Sequence, residues 1–193
     1  MLKEWWATLE PQWKKAFNEA VLGLGPIENK PTRTEMELIH NSPAIRFAGP
    51  GAPHPNMTFQ LTNLSGLAGL SGVETLVVIF HQIKNLEGLD HMSQLTSLFV
   101  YHCELTSLIG IEKLTQLEQL YANVNQLVDI KPIKNLVNLK EFQLAYNKIT
   151  TLEGITSKHT SKMKSFTCLP NDDLPDREII RVENRLGIRC QRG

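Results

Sequence analysis

Side chains able to do chemistry are sparse in this 193-residue chain, and their spacing argues against catalysis. Six histidines (40, 54, 81, 91, 102 and 159) share no metal-ligand spacing, and the three cysteines (103, 168 and 190) form no CxxC pair. GxSxG, HExxH and glycine-rich phosphate loops do not occur, so nucleophile-elbow, zinc-protease and P-loop chemistry are not expected. His81 and Cys103 do occupy equivalent places 22 residues apart, the only pairing that hints at a metal or redox site. Two ligands fall short of the about four that zinc wants, and a free cysteine usually behaves as a small buried hydrophobe. The sequence therefore predicts no metal, no cofactor and no enzyme. The rival reading is an enzyme or enzyme regulator with a small polar site made of His102, Asn123 and Glu141.

The elements that would position these side chains follow from composition. There are 20 basic and 20 acidic residues, so the net charge is zero. That balance removes the usual electrostatic reason to expect nucleic acid or an anionic membrane as partner. The start, MLKEWWATLEPQWKK, lacks the apolar stretch of a secretory signal, and no run approaches a membrane span. The odd, sparse cysteine set suits thiols in a reducing compartment, and a cytoplasmic protein is expected.

Leucine dominates, with 27 residues, 19 of them between positions 61 and 152. They fall in register: Leu76, Leu98, Leu120 and Phe142 recur every 22 residues. Val78, Val100, Ala122 and Leu144 make a second column, and Ile83, Leu105, Leu127 and Ile149 a third. Each unit reads LxxLxLxxNxL, as in Leu117, Leu120, Ala122, Asn125 and Leu127, or Leu139, Phe142, Leu144, Asn147 and Ile149. These residues resemble the leucine-rich repeat family, in the 22-residue subclass found in bacterial internalins and in a phosphatase-regulating protein. The resemblance implies an α/β solenoid, a right-handed superhelix of about five coils with a parallel concave sheet. It is clearest over 61–155 and extends over 57–174, where Met163, Phe166, Cys168 and Asn171 repeat the pattern 24 residues on. The two extra residues are expected to loop out on the convex side, within TSKHTSKMK. Within the repeat, His81 and Cys103 stand in the asparagine column, where a side chain satisfies backbone groups inside the coil.

Caps are expected at both ends, because a bare end coil would expose the core. Residues 1–56 read as a helical cap with a proline- and glycine-rich connection: a helix over 10–22 carrying Trp13, Phe17 and Val21, a second over 34–41 with Thr34 and Glu37 as capping box, then an irregular 41–56. The tryptophans are expected to pack on the first coil and not on a membrane. Residues 175–193 read as a helix opened by Pro175, with Ile179, Ile180, Val182 and Leu186 inward, followed by a short strand. Its arginines alternate with acids and read as a solvated face. This Trp-rich start and IxxVENxLGI end resemble small bacterial leucine-rich repeat proteins.

The register also says which residues face a partner. Side chains between the leucines point out of the sheet: Val77, Phe99 and Tyr121 in one row, Ile79 and Tyr101 in the next, with Phe80, His102, Val124 and Tyr146 alongside. Asn123 and Gln143 complete the candidate site. Of the sixteen outward positions over four coils, only Glu141 carries a full charge. A neutral aromatic patch has the composition of an interface core. The sequence therefore predicts a protein–protein interaction module centred on Phe99, Tyr101 and Tyr121. A symmetric homodimer through the same face, or a purely structural role, are the alternatives. Coverage of the patch by the N-terminal segment is the competing expectation.

Overall fold

The computed structural model describes residues 2–193. Its organising element is one parallel sheet of seven strands stacked in chain order. These are β1 (Ala44–Ala48), β2 (Thr75–Ile79), β3 (Ser97–Phe99), β4 (Gln119–Tyr121), β5 (Glu141–Gln143), β6 (Ser165–Leu169) and β7 (Cys190–Arg192). The 22-residue period becomes register directly: Leu76 faces Leu98, Leu98 faces Leu120, and Leu120 faces Phe142. Phe142 then faces Phe166, so the coil with two extra residues keeps its place in the sheet. One face of every strand carries these fully buried side chains, which form a single continuous core along the stack.

Between strands the chain returns through short turns, and coils approach closely there. Gly110 has φ of +110°, and a Cβ on it would lie 2.2 Å from the Leu86 carbonyl oxygen. Only glycine fits that approach.

Inside each coil the asparagine column makes a ladder of amides. Asn125 Oδ1 accepts from the backbone N–H groups of Cys103 and Leu105 at 2.9 and 3.0 Å, while its Nδ2 donates to Val100 O at 2.8 Å. Asn147 and Asn171 repeat the arrangement one and two coils later. The two substituted rungs keep part of it. Cys103 Sγ donates to Val78 O at 3.1 Å, and His81 Nδ1 accepts from Leu61 N at 3.1 Å. Burial depresses His81 to about 4 and pushes the Cys103 thiol up to about 12, so both stay neutral inside the stack. Among the described residues, no group of three or more His, Cys, Asp or Glu side chains could hold a metal ion.

Helices lie against both end coils. At the start, α1 (Leu2–Thr8) and α2 (Pro11–Ala16) are followed by a wider π turn over Phe17–Val21, then α3 (Arg33–His40). Trp13, Phe17 and Phe47 interlock, with Trp13 edge-on to Phe47 at 5.3 Å. Gly66 accepts the Trp13 ring so closely that a Cβ there would overlap it, and the indole N–H of Trp5 donates to Ala68 O at 2.9 Å. Trp5 and Trp13 are thus spent on packing against the first coil, and Trp6 on Trp5 and Phe17. At the other end, α4 (Asp176–Ile180) and a π turn over Arg181–Arg185 precede β7. Arg181 pairs with Glu178 at 3.2 Å on that helix.

Several local expectations need correction. The 41–56 segment is not wholly irregular: Ala44–Ala48 is a full strand, because Ile45 and Phe47 alternate inward as the leucines of later coils do. Its outer edge is closed by Asn56, which accepts from Ala48 N and donates to Arg46 O, both at 2.8 Å. The capping box of α3 uses Thr32 and Glu35 and not Thr34 and Glu37. Ile180 faces solvent, at 56% exposure. In the long coil the extra residues do not simply loop out. His159 is fully buried, its Nδ1 accepting from Thr156 N and its Nε2 lying 3.3 Å from Ile133 O.

Candidate partner-binding face

The outward side chains of the strands assemble into rows. Strand register places Val77 beside Phe99, Phe99 beside Tyr121, and Tyr121 beside Gln143. The row continues to Arg46 at one end and Thr167 at the other. Phe99 and Tyr121 stack with centroids 4.7 Å apart and planes at 28°. Phe80 stacks on His102 at 4.3 Å and 10°, and Tyr101 meets both edge-on. These contacts belong to offset-stacked and edge-to-face geometries that hold aromatic groups in fixed positions.

The flanking column has its own backbone signature. Phe80, His102, Val124 and Tyr146 all have positive φ, between 54° and 60°. The left-handed turn follows each strand and is uncommon for non-glycine residues, most of all for β-branched Val124. It sets these side chains at the rim, where Tyr146 is 54% exposed.

Polar groups on the face are partly spoken for. Tyr121 Oη donates to Glu141 Oε2 at 2.6 Å, and this bond holds the phenol above its ordinary pKa. Burial depresses His102, favouring its neutral form. The polar trio of the rival reading is not assembled. Glu141 lies in the row of Gln119 and Ser97, whereas His102 sits five residues along the chain from Ser97 and two strands away.

Both ends of the face are closed. The Gly49–Ala52 turn folds over β2, with Gly49 N donating to Ile79 O at 2.9 Å. Ile79 is left 3% exposed in a small cluster with Ala48 and Ala52, so this candidate contact is withdrawn from any partner. At the other end Gly193 N donates to Leu169 O at 2.8 Å, and the backbone there lies over Thr167 and Ala145. Between the covers, Val77, Phe99, Tyr101, Tyr121, Asn123 and Gln143 remain half-buried and accessible. The rows were legible in the sequence, and the turn over Ile79 is the limited form taken by the competing expectation of N-terminal coverage; the cover at Gly193 left no trace in it.

A family model described as leucine-rich repeats (two copies) matches residues 115–157. The repeat, the register and this match agree. The chain has the leucine-rich repeat solenoid fold. Among solved structures, internalin C2 of Listeria monocytogenes superposes with a TM-score of 0.54 at 23% identity, over 74% of this chain and 56% of that one. A leucine-rich repeat protein of Leptospira interrogans superposes at 0.53 and 18% identity, over 72% of this chain and 39% of that one. These likenesses concern the fold, and this solenoid spans little more than half of the first neighbour and less than half of the second. No curated protein matches the chain significantly in sequence. Among the described residues no helix is long and apolar enough to cross a membrane.

Proposed function

We propose that this solenoid is a protein–protein interaction module whose partner seats on the concave face, centred on Phe99, Tyr101 and Tyr121. The observation that carries this reading is the open window itself. Ordered, stacked aromatic side chains stand half-exposed on a rigid sheet, with one full charge among the outward positions of four coils. Contiguous apolar surface of this kind on a soluble domain marks a site of association. The rings pair with one another across strands, which stabilises the sheet, but cross-strand pairing needs no accessible ring face. Sheet-face binding also uses what the fold supplies. Repeats hold successive outward residues at fixed spacing, so a partner is read by shape and apolar contact.

The test is the double substitution Phe99→Ala with Tyr121→Ala, compared with the unaltered chain in affinity capture from the native host followed by mass spectrometry. A partner retained by the unaltered chain and lost from the variant is expected, with a melting temperature within a few degrees. Capture of the same proteins by both chains moves the site elsewhere. Sedimentation of the two chains identifies a second copy of the solenoid as the partner if the dimer alone is lost.

A further inference from the structure

Building on the concave-face reading, we infer that the partner segment presents a cationic side chain, arginine or lysine, which anchors on the Tyr121 and Phe99 rings and on the Glu141 carboxylate. The argument is one of complementarity inside a bounded window. The two covers leave an opening whose only full charge is Glu141. One oxygen of that carboxylate, Oε2, accepts from Tyr121 Oη. Among the described residues no ammonium or guanidinium lies within ion-pairing distance of the carboxylate, so lone pairs remain for a visitor. The adjacent lysine, Lys140, is taken by Glu118 at 2.6 Å, and the guanidinium of Arg46, three strands from Tyr121, is held by His54 O. Lys164 flanks the face on the next coil, and exposed Glu74 flanks it on the first.

The rings favour the same sign. An aromatic face carries negative potential and attracts a cation within about 6 Å of its centroid. A phenol that donates to a carboxylate is richer in electron density than a free one, and the stacked Phe99–Tyr121 pair offers a broad surface for a guanidinium plane. An apolar anchor seated here would strip water from Glu141 and return nothing, and an acidic anchor would be repelled. His102, the histidine of the aromatic cluster, is held towards its neutral form by burial and brings little opposing charge at neutral pH.

The probe is a display library of random heptapeptides, panned on the immobilised full chain, with enriched peptides then titrated individually by fluorescence anisotropy. Enriched sequences are expected to share one arginine or lysine at a fixed position. Replacing that residue by glutamine, or Glu141 by Gln in the protein, should each weaken binding by about tenfold, the loss of one charge-assisted contact. The isosteric Glu141→Gln change is paired with a melting curve, and Lys148→Gln, outside the window, serves as a charge control that leaves affinity unchanged. Enriched peptides without a basic residue, yet lost on Phe99→Ala with Tyr121→Ala, overturn the cationic anchor and leave the binding face intact. Enriched peptides indifferent to that double change overturn both.

Discussion

The two faces of the same short strands obey opposite rules. Inward, at the asparagine column, each side chain must satisfy backbone groups of its own and the preceding coil, and Asn125, Asn147 and Asn171 do so with near-identical partners. Outward, four residues earlier in each coil, Val77, Phe99, Tyr121 and Gln143 share a row and no common chemistry. The interior is dictated by hydrogen-bond accounting and the exterior only by what it meets. His81 and Cys103 sharpen the contrast: they depart in type but retain the neutral, internally bonded state that the interior requires.

The strongest way to break this contrast is Asn125→Ala. It strands the amides of Cys103 and Leu105 and the carbonyl of Val100 in the core, and is expected to cost about 4 kcal/mol, summing penalties of about 1–3 kcal/mol for each buried group. Urea unfolding measures it, and a loss below about 1 kcal/mol would mean that the ladder carries little of the stability.

His81 gives the next effect. Its folded pKa lies near 4, below its ordinary 6.5, so between those values the unfolded chain binds more protons and stability falls as pH falls. The contribution is whole above pH 6.5 and is lost progressively towards pH 4, amounting to about 3 kcal/mol. Burial depresses His159 in the same sense, so the informative quantity is the difference from His81→Asn. That variant restores an amide rung, and its urea midpoint should vary less over the same pH window. Equal slopes in both chains would show that His81 does not titrate differently on folding.

On the outer face the order of effects reverses between stability and binding. Phe99→Ala should cost about 1 kcal/mol, the worth of a stacked pair with part of its apolar area, while removing partner capture. A stability loss as large as that of Asn125→Ala would instead make the aromatic row a structural device. The smallest change is Tyr121→Phe, expected within about 0.5 kcal/mol of the parent because its hydrogen bond lies at a half-exposed surface. Alkaline titration of phenolate absorbance should lose its late component in this variant, since the Glu141 contact holds Tyr121 above the usual range.

The same contrast explains what could be read from residues alone. The inward rule is periodic, so leucine columns, strand register and the asparagine rungs are legible in the sequence. Strand β1 escaped because AIRFA stands outside the 22-residue count and is bracketed by prolines, although its inward Ile45 and Phe47 do the work of the later leucines. The cover over Ile79 was open only as general coverage by the N-terminal segment, and the cover over Ala145 escaped, for a different reason. They are contacts between distant segments, made largely by backbone and small residues such as Ala52 and Gly193, which carry no pattern.

Closing the face at both ends also acts as a ruler for whatever lies on it. The accessible row runs from β2 to β5, three inter-strand steps of about 4.8 Å, or about 14 Å in all. An extended chain advances about 3.3 Å per residue, so a segment crossing the strands would span the row from Val77 to Gln143 with about five residues. A footprint of that length suits one short linear stretch of a partner, with the rim of left-handed residues beside it as the place where neighbouring positions are told apart.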